Sequence, residues 1–240
     1  MVLWFKWLKH REKQHFLRRK TMDFKPFTLI CGHYGCGKTN LSLNIALDLA
    51  ARGEKVTLVD MDVVNPYFRS SDYRHLIQEA GVRLIASAFA GGNLDSPSIP
   101  AEVASIFDNP EGYIIIDVGG DDVGATALGR FAHRINAIDH DMLYVINKNR
   151  PITSDAASAE EILSEIERKS RIKATGIVNN THLMGFTTEE TVLSSMEYAR
   201  QTAADMNLPL RFTTAPESFA DKLDIENIYP VKVHVKTPWM

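Results

Sequence analysis

The sequence predicts an α/β domain with a doubly wound, mostly parallel sheet and helices on both faces. Three observations support this fold class. Strand-like apolar runs alternate with helix-like runs from residue 22 onward, which is typical of parallel strands joined by crossover helices. The first strand-like run leads through a glycine-rich turn into a helix-like run. A later run, IIIDV at 114–118, is apolar on both sides of its one aspartate, as in a strand buried on both faces.

Periodicity and turn residues delimit the elements in order. Gly53 and Gly81 each follow a helix-like run and precede a strand-like one, which is typical of a helix end. The stretch at 89–100 is rich in Gly, Pro and Ser and is predicted to be a loop. The predicted order is strand 25–31, helix 38–52, strand 56–60, helix 68–80, strand 82–86, helix 101–107, a strand within 112–120, helix 125–138, strand 142–147, helix 155–169, strand 174–179, helix 188–206, strand 210–214, a helical turn or two at 217–224 and an edge strand at 231–235.

Length and composition agree with one globular domain. The 240 residues suffice for a large α/β domain, and a hydrophobic content of 45% with 24% charged residues is ordinary. No apolar run reaches the ~18 residues that suggest a membrane span. The two cysteines, Cys31 and Cys36, fit no disulfide framework and no zinc or iron–sulfur spacing. We therefore expect a cytoplasmic protein.

Residues 1–21 differ from the rest of the chain in charge. They carry seven lysines and arginines against one glutamate, although the whole chain has a net charge of −3. The remainder is therefore acidic and does not indicate nucleic-acid binding. One interpretation of residues 1–21 is a basic amphipathic segment that contacts a membrane surface or a partner. We favour the other, in which Met22 is the functional start, 22–240 is the single domain, and 1–21 is a disordered or artefactual extension.

The glycine-rich turn contains the phosphate-binding pattern Gly32-x-x-x-x-Gly37-Lys38-Thr39. Its glycines allow the backbone to turn its N–H groups around phosphate oxygens. The helix that follows points its positive end at the same anion, the lysine reaches the outer phosphates, and the threonine hydroxyl ligates Mg²⁺. We assign the binding of a nucleoside triphosphate to Gly32, Gly35, Cys36, Gly37, Lys38, Thr39 and Asn40.

Two carboxylates lie at the end of the second predicted strand, Asp60 as its last residue and Asp62 two residues on. Beside a magnesium–triphosphate they can divide two tasks, because one can hold metal-bound water while the other orients the attacking water. A helix-capping aspartate next to a solvated one is the plainer interpretation. The phosphate-binding loop upstream favours the functional interpretation.

A second acidic segment, DVGGDD at 117–122, ends the apolar strand. Asp117 is at the position of a carboxylate that supports Mg²⁺, and Gly120 can present its N–H to the γ-phosphate. Loss of that phosphate would release the glycine, so the segment is a candidate switch. Asp121 and Asp122 either cap the next helix or help to handle the attacking water.

Asn179 ends a later strand in the run IVNNTH, and its amide is a candidate for contact with a base. No [NT]-K-x-D segment of the kind that selects guanine is present. We therefore favour ATP over GTP.

With these segments the chain resembles the MinD/ParA/CobQ-type P-loop ATPases, which include the Mrp-like ATPases. The run Asp60-x-Asp62-x-x-Asn65-Pro66 is similar to the Mrp-type D-x-D-x-x-G-P, and the similarity extends over residues 27–217. The resemblance implies a Mg-ATP site, slow hydrolysis, a client protein and often a nucleotide-dependent homodimer. It also implies water activation by Asp62, magnesium support by Asp60 and Asp117, and base contact by Asn179.

The chain departs from that family in its phosphate-binding loop. Family members commonly read K-G-G-x-G-K-[ST], with an extra lysine that reaches the phosphates of a dimer partner, whereas His33 stands at that position here. A neutral imidazole is a poor substitute for a fixed cation, which argues against the ATP-bridged dimer. The cluster-binding C-x-x-C of Mrp relatives is absent as well.

Our leading hypothesis is an ATPase that converts ATP binding and hydrolysis into a switch acting on a partner protein, with Lys38, Asp62 and Gly120 as its reacting-centre residues. An ATP-dependent ligase or kinase of the dethiobiotin-synthetase or cobyrinate-amidase kind is the first alternative, with the loop 91–100 holding a small acid. A nucleotide-binding module without catalysis is the second. The histidines, His182 among them, show no metal spacing and are interpreted as surface or satisfied core residues. Four arginines, Arg69, Arg74, Arg130 and Arg150, could approach a phosphate or a partner, although an arginine is more often part of a solvated face.

Overall fold

A computed structural model of the protein describes residues 22–62, 71–86, 101–108, 110–120 and 122–235. These residues form one sheet of eight strands, all parallel, in the order β3-β2-β4-β1-β5-β6-β7-β8. The predicted doubly wound α/β fold is therefore confirmed. The strands are β1 Phe27–Cys31, β2 Val56–Met61, β3 Arg83–Ala86, β4 Tyr113–Val118, β5 His140–Ile146, β6 Gly176–Asn179, β7 Leu210–Pro216 and β8 Ile228–Val231.

Helices connect the strands within the described ranges. Short 3₁₀ turns at Pro151–Thr153, Met184–Phe186 and Ala220–Lys222 follow β5, β6 and β7. No described helix has the length and apolar character needed to cross a membrane. The α-helices are α1 Lys38–Ala51, α2 Ser71–Glu79, α3 Ala101–Asp108, α4 Asp122–Gly129, α5 Ala132–Asn136, α6 Ala156–Ser170, α7 Glu189–Leu193 and α8 Met196–Asp205.

The sheet separates two hydrophobic clusters because successive side chains of a strand point to opposite faces. Leu29 of β1 belongs to one cluster and Ile30 to the other. The same alternation holds in β4, where Ile116 packs on the first face and Ile115 on the second. Both isoleucines are fully buried, which confirms the prediction that β4 is covered on both sides. Burial of this central strand holds the loops at its carboxyl end, and at that of β1, on a rigid base.

Two predicted helices are each split in two. The predicted helix 125–138 breaks after Gly129, where a Cβ atom would lie 2.6 Å from the carbonyl oxygen of Lys169 at the end of α6. The predicted helix 188–206 breaks between Leu193 and Met196. There the Ser195 hydroxyl donates to the Val192 carbonyl oxygen at 2.6 Å. Local bonds from serine compete with a continuous helix.

The C-terminal edge strand lies earlier than predicted, because β8 ends at Val231. Residues 232–235 run instead along α1, where the Asn40 amide donates to the Lys232 carbonyl oxygen at 2.9 Å and accepts from the His234 amide at 2.8 Å. Residues 1–21, the start of the predicted helix 68–80, the loop 89–100 and Asp121 lie outside the described residues.

Candidate functional site

The phosphate-binding loop joins β1 to α1 and has the backbone geometry that its glycines predict. Gly32, Gly35 and Gly37 have φ values of +145°, +76° and +88°. These left-handed values are strained for any residue with a side chain. A Cβ atom at Gly32 would also lie 2.5 Å from the Val145 carbonyl oxygen. The glycines are therefore required by backbone conformation and by close packing on β5.

Lys38 and Gly120 meet at the mouth of this loop. The Lys38 side chain is 6% exposed, and its Nζ donates to the His33 carbonyl oxygen at 3.2 Å. A Cβ atom at Gly120 would lie 2.8 Å from that Nζ and 2.7 Å from the Tyr34 amide nitrogen. The structure thus brings the glycine that follows β4 against the loop lysine, and even a methyl group would disturb this contact.

Asp60 and Asp117 lie side by side at the carboxyl ends of β2 and β4, where they are register partners. Hydroxyl groups of Thr39 and Ser42 hydrogen bond to Asp117, the latter at 3.4 Å. Burial, together with the neighbouring charge of Asp60, raises the pKa of Asp117 to about 7. A crowded carboxylate pair of this kind is suited to a divalent cation, whose charge would relieve both effects.

The donor set at this pair fits magnesium better than a metal held by protein ligands alone. No group of three or more His, Cys, Asp or Glu side chains within the described ranges is arranged to hold a metal ion. Mg²⁺ is usually bound through one or two carboxylates together with phosphate oxygens and water. Asp60, Asp117 and the hydroxyl of Thr39 are such a partial set, because Thr39 lines both the pocket at these carboxylates and the larger cavity next to it.

That larger cavity has a volume of about 350 Å³, which lies within the range of small-molecule sites. One end is polar and is formed by the loop, Lys38, Thr39 and Asp62. The other end is mainly apolar and lies over the ends of β7 and β8. The lining residues of the cavity are Tyr34, Gly35, Gly37, Lys38, Thr39, Asn40, Asp62, Arg150, Asn180, Thr181, His182, Met184, Thr187, Thr214, Pro216, Val231, Val233 and Val235.

Asp62, predicted to orient the attacking water, lines the polar end of the cavity. Its backbone N–H donates to Asp60 Oδ1 at 2.9 Å, a turn that an aspartate typically forms two residues ahead of itself. The turn directs the two carboxylates to different places, since Asp60 lines the small pocket with Asp117 whereas Asp62 lines the large cavity.

The structure does not place the predicted base-contact residue, Asn179, at the cavity. Asn179 is fully buried, and its amide donates to Ser195 Oγ at 2.9 Å and accepts from Thr181 Oγ1 at 2.8 Å. It does not line the cavity. The residue that does is Asn180, which follows the last residue of β6. Adjacent residues point in opposite directions at a strand end, so the side chain of Asn179 enters the interior.

Asn180 supports the loop as well as lining the cavity. Its Nδ2 donates to the Cys36 carbonyl oxygen at 2.7 Å, and its Oδ1 accepts from Thr214 Oγ1 at 2.5 Å. A Cβ atom at Gly37 would lie 2.4 Å from the same Nδ2. The amide therefore connects the phosphate-binding loop to β7 across β6.

Three other predicted loop residues have mainly structural surroundings. The thiol of Cys36 is fully buried in the hydrophobic core, and neither Cys36 nor Gly32 lines the cavity. Asn40 lines it, but its amide bonds to the segment 232–235. Gly35, Gly37, Lys38 and Thr39 line the cavity.

Two further residues, Arg150 and His182, line the cavity; from the sequence Arg150 was one of four arginines that could approach a phosphate, and His182 was interpreted as a surface or core residue. Arg150 Nε donates to the Gly35 carbonyl oxygen at 2.8 Å. His182 packs beside Gly37, and burial, with a smaller contribution from the charge of Arg150, lowers its pKa to about 4. Arg150 follows β5, which is next to β1, and His182 follows β6, which is one strand further away. Their position after the carboxyl end of a parallel strand was the one signal in the sequence that could have indicated site residues.

A sequence comparison identifies residues 28–199 as a match to the model of the CobQ/CobB/MinD/ParA nucleotide binding domain. No curated protein matches the chain in sequence.

Several solved structures are similar in fold. Signal recognition particle receptor FtsY from Elizabethkingia anophelis has a TM-score of 0.51 and 18% identity over 85% of this chain. FtsY from Mycoplasma mycoides has a TM-score of 0.52 and 18% identity over 80% of it. The 54 kDa signal recognition particle protein from Aeropyrum pernix K1, solved with GDP, has a TM-score of 0.51 and 20% identity over 81%. The chain covers 63%, 62% and 42% of these three proteins, so it spans less than two thirds of their length and shares their fold.

Proposed function

The chain belongs to the CobQ/CobB/MinD/ParA nucleotide-binding domain family, and from that premise we propose that it is a magnesium-dependent ATPase whose slow hydrolysis switches a partner protein. The observation that carries this proposal is the meeting of Lys38 with Gly120 at one edge of a cavity whose other end is apolar. Such a cavity suits a nucleotide, which has a charged triphosphate at one end and a flat base at the other.

In this proposal the phosphate-binding loop holds the triphosphate. Backbone N–H groups of the loop and the start of α1 surround the phosphate oxygens, and Lys38 Nζ exchanges its bond to the His33 carbonyl oxygen for a bond to phosphate. A lysine that is 6% exposed is largely desolvated already, so its charge acts more strongly on an anion than it would in water.

Thr39, Asp60 and Asp117 are the residues that would hold Mg²⁺. The ion, when bound, supplies positive charge against the charge that develops on the phosphates. Asp62 lines the triphosphate end of the cavity, where its carboxylate is positioned to orient a water molecule and to hold that water's proton.

The base would occupy the apolar end, with Asn180 in place of Asn179 as its polar contact. Guanine presents two neighbouring N–H donor groups that a carboxylate recognises well, whereas adenine presents one donor and one acceptor, which an amide matches. Among the described lining residues, the sole carboxylate is Asp62, and it lies at the opposite end. This charge distribution supports adenine.

Gly120 would report the γ-phosphate. Its close approach to Lys38 and Tyr34 means that the segment after β4 senses any change in the loop's mouth. A γ-phosphate that accepts the Gly120 N–H would hold the segment in place, and hydrolysis would release it. The client protein, or a second copy of the chain, would respond to that movement.

Equilibrium binding and turnover of purified protein test the proposal. We expect binding of Mg-ATP in preference to Mg-GTP, and slow hydrolysis of ATP without any added acid. Turnover that requires a small carboxylic acid would identify the ligase or kinase alternative, and tight binding without hydrolysis under all conditions would identify a non-catalytic module. Light scattering with and without Mg-ATP measures the homodimer. Absence of nucleotide binding would contradict the proposal.

A further inference from the structure

Arg150 lies flat against the phosphate-binding loop. Its Nε donates to the Gly35 carbonyl oxygen at 2.8 Å. A Cβ atom at Gly35 would lie 3.0 Å from Arg150 Cζ and 3.3 Å from its Nη2. The absence of a side chain at Gly35 therefore makes room for the guanidinium group. Because one N–H is used by the loop, the terminal nitrogens keep their fork of donors for another acceptor.

The turn that carries Arg150 is firmly held. Asn147, just after β5, accepts the Arg150 backbone N–H at 3.0 Å and the Thr153 hydroxyl at 2.9 Å through its carbonyl oxygen. The Asn147 side chain also accepts the Asn149 backbone N–H at 2.9 Å. Asn147 and Thr153 are fully buried. The arginine thus projects from a rigid support, as a group with a defined binding role requires.

The charges around Arg150 indicate an anion as its missing partner. No carboxylate within the described ranges forms an ion pair with it. Among the described residues that line the cavity, Lys38 and Arg150 are the permanent cations, and the one carboxylate is Asp62. His182 is neutral at physiological pH because burial lowers its pKa to about 4. A half-buried guanidinium without a carboxylate suits phosphate, which it can bind through two parallel hydrogen bonds.

We propose that Arg150 is a second phosphate-binding cation of the nucleotide site, contributed by the same chain that carries Lys38. This inference rests on the proposed function and adds a residue to it. In the sheet, β4 and β2 with Asp117 and Asp60 lie on one side of β1, and β5 with Arg150 lies on the other. Arg150 therefore approaches the phosphates from the side opposite the proposed metal, and the two positive groups do not compete for space.

The same arrangement gives one chain two fixed cations at the triphosphate without a lysine at position 33. High affinity for the triphosphate then does not depend on a second copy of the protein. The nucleotide Kd is accordingly expected to be the same at low and high protein concentration.

Calorimetric titration of Arg150→Ala, Arg150→Lys and wild-type protein tests the inference, with Mg-ATP, Mg-ADP and adenosine as probes. Lys148→Ala is the matched control, because Lys148 lies in the same turn but its Nζ donates to the distant Ser194 carbonyl oxygen. Loss of a charged hydrogen bond should weaken Mg-ATP binding by about ten- to hundredfold in Arg150→Ala. Adenosine binding should change by less than about twofold, since it carries no phosphate. Arg150→Lys should be intermediate.

The outcomes separate phosphate binding from mere support of the loop. A phosphate contact also predicts a shallower dependence of Kd on salt concentration in Arg150→Ala. If Arg150→Ala weakens ATP and adenosine equally, or neither of them, while the wild type binds ATP, the inference is wrong and the proposed function stands. If the wild type itself binds no nucleotide, both are wrong.

Discussion

The two sides of β1 carry different chemistry around the same phosphate-binding loop. On the side of β4 and β2 lie the carboxylates Asp117 and Asp60, the Asp62 turn and Gly120. On the side of β5 and β6 lie a guanidinium, amides and a neutral imidazole, followed by an apolar wall. In our proposal this difference is a division of labour, in which the first side would serve metal binding and hydrolysis and the second would hold the nucleotide.

The difference follows from the topology. Parallel strands place their carboxyl ends along one edge, so residues that are far apart in sequence meet there. In our proposal the acidic side includes the Gly120 segment, which moves when the nucleotide changes. The second side is held by the hydrogen bonds of Asn180, which connect the end of β6 to the loop and to β7. Substitutions on the two sides should therefore have separable effects.

Lys38, between the two sides, should give the largest effect. We expect Lys38→Ala to lower kcat/KM for ATP by about a thousandfold or more, because the variant lacks a desolvated positive charge at the developing charge of the phosphates. Steady-state hydrolysis measures this. Lys25→Ala is the control, since Lys25 pairs with Asp139 at the opposite end of β1, and it should behave as the wild type. Normal activity of the Lys38→Ala protein would show that this lysine does not act on the phosphates.

Asp62→Ala should affect hydrolysis alone. We expect kcat to fall by about a hundredfold, the usual contribution of a group that orients or deprotonates water, while the Kd for Mg-ATP stays close to that of the wild type. Single-turnover hydrolysis and calorimetry on one preparation measure both quantities. Asp108→Ala, in a surface ion pair with Arg134, is the control. Undiminished turnover in Asp62→Ala would contradict the role given to this carboxylate.

Substitutions of the adjacent residues Asn179 and Asn180 should have different effects on affinity and stability. Asn180→Ala should weaken nucleotide binding by about tenfold, because the base loses its hydrogen bond to the Asn180 amide and its own polar group is left without a partner. Asn179→Ala should leave the affinity unchanged but lower the free energy of unfolding by about 1–3 kcal/mol, because its partners Ser195 and Thr181 lose buried hydrogen bonds. Denaturant titration and calorimetry separate the two. A loss of affinity confined to Asn179→Ala would restore the sequence-based assignment.

His182 predicts a small dependence of stability on pH. Its folded-state pKa of about 4 lies below the value of 6.5 expected for the unfolded chain. Between these values the unfolded state binds the extra proton, so stability falls as the pH falls below 6.5 and levels off near pH 4. We expect a loss of about 1 kcal/mol between about pH 7 and about pH 5.5 that is absent in His182→Gln. Equal pH profiles for the two proteins would contradict the buried neutral imidazole.

Prediction from the sequence succeeded where local spacing determines geometry. Gly35, Gly37, Lys38 and Thr39 lie within one turn, and their placement follows from the loop pattern alone. The pairing of Asp60 with Asp117 required only that both lie near the carboxyl ends of buried parallel strands. These placements depend on burial and on strand ends, which the apolar runs reveal.

Prediction failed where tertiary packing, and not local spacing, determines which side chains reach the site and where a helix ends. The end of β6 at Asn179 was predicted correctly, but the sequence does not show which of two adjacent asparagines points into the interior and which lines the cavity, because the strand is buried on both faces. Arg150 and His182 belong to no local pattern, and they reach the loop only because β5 and β6 follow β1 in the sheet. The split of two predicted helices had a similar origin in the packing of Gly129 and the hydrogen bonds of Ser195.

The division between the two sides of β1 is tested most directly by measuring kcat and Kd for Mg-ATP on Asp62→Ala and Asn180→Ala in parallel. We predict that Asp62→Ala loses kcat and keeps its Kd, and that Asn180→Ala shows a raised Kd and keeps its kcat at saturating ATP. Proportional losses of both quantities in both variants would contradict a site whose two sides have separate tasks.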